Sequence, residues 1–214
     1  TLPFLSITLF SLIEAEEFSS ISTGRPGVAN PTSSISKGLY QFEMGIKTDL
    51  KDNLAYPLFF RTGIMNSTEI QIGYSDYLSV GILYDGLNII KQLEQSFIVT
   101  ASLSENNEEL TSTDLYLPFS ISSNIPVWGQ VAASFPTQGD PSFSYALATG
   151  GGFGEKMGWF VELYGNITTE EQEIDAGSTY LINNTMQVDF SGGVSLENTD
   201  SKFVEVGFSF RLPK

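Results

Sequence analysis

From Tyr40 to Leu212 the chain alternates large apolar residues with small or polar ones, segment after segment. Side chains on an extended strand point to opposite faces in turn, so each such segment has one apolar and one polar face. The last segment places Val204, Val206, Phe208, Phe210 and Leu212 on one side, and Glu205, Gly207, Ser209 and Arg211 on the other. Alone, a strand of this kind fits the wall of a membrane barrel or a sheet packed on a soluble core.

The same pattern opens the series. Tyr40, Phe42, Met44 and Ile46 oppose Gln41, Glu43, Gly45 and Lys47, and Leu58, Phe60, Thr62 and Ile64 oppose Phe59, Arg61 and Gly63. Ile70, Ile72 and Tyr74 oppose Glu69, Gln71 and Gly73, and further segments follow around 78–85, 97–103, 115–121, 126–135, 143–148, 159–164 and 186–194. Segment 177–183 is short and ambiguous. This gives about twelve strands, many near the ~9–11 residues that a tilted membrane strand needs. No amphipathic helix and no apolar run long enough for a helical span occurs.

Three features favour a barrel over a sandwich. The polar faces carry Gly45, Gly63, Gly73, Gly81, Gly193 and Gly207, which suit a crowded interior better than a solvated surface. Tight connections at Met65–Ser67, Ser122–Asn124 and Asn183–Asn184 alternate with longer ones at Asp49–Tyr56, Ser104–Ser112, Pro136–Pro141, Gly165–Ala176 and Glu197–Ser201. Short turns at one rim and longer loops at the other mark outer-membrane barrels, although Ser75-Asp76 and Asp85–Gln95 break the rule. Tyr40, Tyr74, Tyr84, Trp159 and Tyr164 sit toward strand ends, where aromatic girdles form. The expected fold is all-β: a single antiparallel up-and-down transmembrane barrel of about twelve strands.

Ahead of the strands, residues 1–15 read as the remnant of a signal peptide, apolar from Leu2 to Ile13 and ending at Ala15. Residues 16–37 are an extended Ser/Thr/Gly/Pro/Asn-rich lead-in, and 38–214 the barrel domain. A lone Arg25-Pro26 in that polar segment suggests that the lead-in folds back as a lumen plug, with Arg25 meeting an inward carboxylate.

Charge and composition exclude several functions. Asp and Glu number 25 against 10 Lys and Arg, a formal net charge of −15, which is the wrong sign for a nucleic-acid partner. The chain has no histidine and no cysteine, which removes His-assisted nucleophiles and His or Cys metal sites. No catalytic residue, cofactor or metal is expected. The acidic clusters Glu105, Glu108, Glu109 and Glu170, Glu171, Glu173, Asp175 read as a solvated rim.

Short stretches resemble a bacterial family named for the MetA pathway of phenol degradation. They are Arg25-Pro26, Pro31 and Lys37-Gly38-Leu-Tyr-Gln41-Phe-Glu43, then Arg61-Thr-Gly63 and Glu69-Ile-Gln-Ile-Gly73. Gly158-Trp-Phe-Val-Glu162-Leu-Tyr-Gly165, Gln187-Val-Asp189-Phe-Ser-Gly and Gly207-Phe-Ser-Phe-Arg211 complete the likeness. Where members often carry Pro-Thr-Gly, this chain has Pro136-Thr-Gln-Gly139. The resemblance implies an outer-membrane barrel in contact with lipid, passing small, aromatic or hydrophobic solutes; with no electrochemical coupling expected in such a chain, the passage is passive diffusion. A non-conducting structural or adhesion barrel and a secreted soluble β-sandwich binding protein are the alternatives.

The residues expected in the lumen are Arg25, Glu43, Lys47, Arg61, Glu69, Glu162, Asp189, Glu205 and Arg211. They serve either as a charged constriction or as ion pairs bracing a narrow barrel, with Arg61 and Arg211 held by neighbouring carboxylates. Closure requires Phe203–Leu212 to pair with Gly38–Thr48, which would set Glu43 near Arg211.

Overall fold

The structure, a computed structural model, describes residues 19–104 and 109–213. Segment 1–15 lies outside the described residues, as do Glu105 and Glu108.

Among the described residues there is no helix, and fourteen strands form one sheet. Twelve of them make the wall: β1 (Leu39–Thr48), β3 (Leu58–Met65), β4 (Thr68–Tyr74), β5 (Leu78–Tyr84), β7 (Phe97–Leu103), β8 (Leu110–Ile121), β9 (Val127–Pro136), β10 (Ser142–Phe153), β11 (Met157–Asn166), β12 (Glu171–Asn183), β13 (Met186–Ser195) and β14 (Lys202–Pro213). The two-residue strands β2 (Leu54–Ala55) and β6 (Glu94–Gln95) pair with the ends of β1 and β8. Each wall strand pairs antiparallel with the next, and β14 returns to β1 from Leu39↔Pro213 to Thr48↔Val204. The barrel is closed, so it presents no free sheet edge.

The closing seam carries a ladder of outward rings. Phe208 and Phe210 are 5.8 Å apart, Phe210 stacks on Phe42 at 5.0 Å, and Phe42 meets Phe60 at 4.9 Å. Cross-strand aromatic pairs of this kind contribute about 0.5–1.5 kcal/mol each, so the join is reinforced by side chains as well as backbone.

The barrel buries its polar face. Gln41, Glu69, Ser96 and Ser209 are 0% exposed, whereas Ile46, Ile82, Phe190 and Val206 on the outer face are more than half exposed. A sandwich would press two apolar faces together. Here one sheet closes on its polar side, which corrects the soluble-sandwich alternative.

One connection and one segment differ from expectation. Gly165–Ala176 is not a long loop: β11 runs to Asn166 and β12 starts at Glu171, leaving a short turn. The ambiguous segment 177–183 is the end of the longest strand. Ile174, Ala176, Tyr180 and Ile182 face outward and Glu173, Asp175, Gly177 and Thr179 inward; outward Ser178 breaks the apolar row that would have announced it. The acidic rim at this position is therefore corrected for Glu173 and Asp175, which belong to the inner face.

Candidate functional site: the lumen and the segment inside it

Residues 19–37 bond to the inward faces of strands all round the ring, from β1 and β4 through β9 and β11 to β13. Only a segment inside a closed barrel can do this. It leaves the short-turn end, where the Ile21 amide donates to the Asn184 carbonyl at 2.8 Å. It climbs to Gly27 and Val28 beside Glu162 near mid-barrel, then descends past Ser120, Asp85 and Gly63 to β1.

An irregular segment makes few hydrogen bonds with itself, so its buried amides need acceptors from the wall. Glu43 accepts from the Gly24 amide at 3.0 Å, and Glu162 from Val28 and Ala29 at 2.5 and 2.9 Å. Gln130 accepts from the amide of Asn30, Asp85 from that of Ser34, and Glu69 from that of Ile35. Much of the inward acidity is thus explained by backbone donors rather than by cations.

Arg61, 1% exposed, is the hub of this half. Its Nε and Nη2 donate to Glu69 at 2.7 and 2.9 Å, and Glu43 lies 3.6 Å from Nη1. The same guanidinium donates to the carbonyls of Ser22 and Ser33 at 3.2 and 3.1 Å, so it ties both limbs of the lead-in to the wall. A buried charge persists when paired and hydrogen-bonded in this way.

Arg25 lies 2.7 Å from Glu205 and 3.4 Å from Asp189. Its guanidinium sits in a notch at Gly45 and Gly207, which face each other across the seam. A Cβ at either glycine would fall within 2.6 Å of it. Gly63 plays the same part for backbone, since a Cβ there would lie 2.4 Å from the Ile35 carbonyl oxygen.

The other expected residues also turn inward, with two corrections. Arg211 is not beside Glu43: it pairs in register with Gln41, and its guanidinium donates to the carbonyls of Ser19 and Asn184 rather than to a carboxylate among the described residues. Glu43 sits opposite Ser209 and is taken by Arg61. Lys47 makes no ion pair among the described residues, and its ammonium lies 4.0 Å from the centroid of the Phe203 ring. Tyr164, expected in an outer girdle, points inward and donates to Glu173 at 2.5 Å.

Sequence reasoning missed Asp85, Asp114, Glu173 and Asp175, together with the amide side chains Gln130 and Gln187. Gln187 and Gln130 shared their strands' polar faces and were passed over because they are uncharged. Asp175 was hidden by the misplaced loop.

The lead-in divides the interior. A cavity of about 350 Å³ lies toward the short turns, lined by Arg25, Pro26, Pro31, Trp128, Phe160 and Thr179 among others. Beyond Val28, toward the longer loops, a second of about 210 Å³ is lined by Gln130, Ser144, Tyr164, Asn166 and Glu173.

No family model and no curated protein matches the chain. Among solved structures the barrel is similar to the KdgM porin, with a TM-score of 0.59 at 11% identity, covering 79% of this chain and 98% of that one. The KdgM porin has also been seen in complex with disordered oligogalacturonate. The NanC porin gives 0.55 at 11%, covering 81% and 100%. An outer-membrane channel from Pseudomonas putida F1 gives 0.59 at 10%, covering 88% and 99%. At such identities the likeness is one of fold alone: a single closed antiparallel β-barrel.

Proposed function

We propose that the chain is a bacterial outer-membrane channel for the passive passage of small solutes. The observation that carries this reading is the inverted burial of a closed barrel: exposed apolar side chains outside, charged and amide side chains within. Such a surface belongs in lipid, and an inner face of this kind belongs around water and solute. The likeness in fold to porins supports the same reading.

Within it, the lead-in is a plug that narrows the passage, and Arg25, Glu43, Arg61, Glu69, Glu162, Asp189, Glu205 and Arg211 are the groups that hold it or line the constriction beside it, with Lys47 nearer the long-loop mouth. The Trp128 and Phe160 wall of the lower cavity supports solutes with an aromatic or hydrophobic body, as membership of the phenol-pathway family would also imply. No reaction is assigned to the chain, which has neither histidine nor cysteine to activate a nucleophile.

The full chain in planar lipid bilayers gives discrete, salt-dependent current steps on this reading. Stable insertion without steps would favour the second reading, a closed structural or adhesion barrel. That alternative is kept in view by the fixed lead-in, which Arg61 clamps from both limbs.

A further inference from the structure

The half of the lumen beyond Val28 contains acids that make no ion pair among the described residues. Asp175 is 3% exposed and faces inward, and its Oδ1 has no hydrogen-bond partner. Directly across the strand pair stands Glu162, whose oxygens are occupied by two backbone amides. One step toward the long-loop mouth, Glu173 lines the cavity, and among the described residues the Tyr164 hydroxyl alone donates to it. Lys47, whose charge reaches Asp175, lies over the Phe203 ring and makes no ion pair among the described residues. Phe203 in turn lies over Gly193, where a Cβ would touch both the ring and the Asp175 side chain.

An ionised carboxylate away from bulk water needs a counter-charge. Arg61 and Arg25 supply one to Glu43, Glu69, Asp189 and Glu205; Asp175 makes no ion pair among the described residues, and Lys47 acts on it only from beyond ion-pair distance. We propose that the counter-charge comes from the solution: Asp175 and Glu173, beside Glu162, form a cation filter, and the solutes admitted are small and positively charged. A polyanion, such as the oligogalacturonate bound by the KdgM porin, meets like charge at this level. This inference rests on the channel reading and names the charge of its solute.

The test uses the full chain in planar bilayers under a KCl gradient, with the zero-current potential giving the permeability of K⁺ relative to Cl⁻. The ratio is above one, and it falls by about twofold or more in Asp175→Asn and again when Glu173→Gln is added. Glu173→Gln alone, at a less buried position, reads the same effect if Asp175→Asn does not fold, as judged by heat-modifiable gel mobility. Steps with a ratio at or below one, or a ratio unchanged in every folded variant, overturn the filter and leave the channel standing. Absence of steps overturns the channel and the filter with it.

Discussion

Toward the short turns, the lumen holds the chain's own lead-in beside a cavity, and its carboxylates are matched by Arg61, Arg25 and backbone amides. Beyond Val28, toward the longer loops, Asp175 and Glu173 make no ion pair among the described residues. Both halves are built on the same strands with the same alternation. The difference is what lies against the wall. Where a polypeptide is held, each charge has a fixed partner; on the channel reading proposed above, fixed partners along the open half would bind a solute too tightly or exclude it.

The largest expected contrast is in stability. Arg61→Met leaves Glu43 and Glu69 buried without their cation, a loss of about 3–5 kcal/mol, read as a lowered urea midpoint in detergent micelles. Asp175→Asn in the other half removes a buried acid that has no ion pair to lose among the described residues. Its midpoint is unchanged or raised, and a fall as large as that of Arg61→Met would erase the distinction between the halves.

Next in size is the notch for Arg25. Gly207→Val drives a side chain into the guanidinium and costs about 1–3 kcal/mol as an overpacked site. A spin label at Thr23→Cys becomes mobile in that variant, and an unmoved spectrum would show that the notch does not hold the segment.

The smallest effect is a local one with pH. Burial pushes the Asp85 carboxyl up, but the Ser34 amide and hydroxyl and the Ser67 side chain together pull it below its ordinary 3.8. A group depressed on folding stabilises above its unfolded value and loses that contribution as pH falls through the lower one. The tie of the descending limb to the wall therefore holds at neutral pH and loosens below pH 3.8. A label at Ser33→Cys gains mobility only there, whereas with Asp85→Asn it is already mobile at pH 7.

Most of the wall was legible because lipid-type burial forces a strict period of two. The closing row Val204–Leu212, the seam with β1 and the inward turn of Glu43, Arg61 and Glu69 all follow from it. The strand at 171–183 is not legible because Ser178 and Ala176 weaken its outer row, so by sequence Asp175 reads as a rim residue. The partners of Arg211 were beyond reach for another reason. Alternation tells which face a side chain takes, but the carbonyls of Ser19 and Asn184 come from irregular backbone whose course depends on the assembled ring. Arg25, by contrast, was readable as a lone cation in a polar segment, since a single positive charge near many inward acids has few other places to go.

The account turns on the lead-in occupying the short-turn half of the lumen. Single-channel conductance of the full chain compared with a variant lacking residues 17–37 tests this most directly, with heat-modifiable mobility confirming that both are folded. Removal of the segment raises the step size by about threefold or more, since it clears half of a narrow lumen. Equal step sizes in two folded proteins would contradict the account.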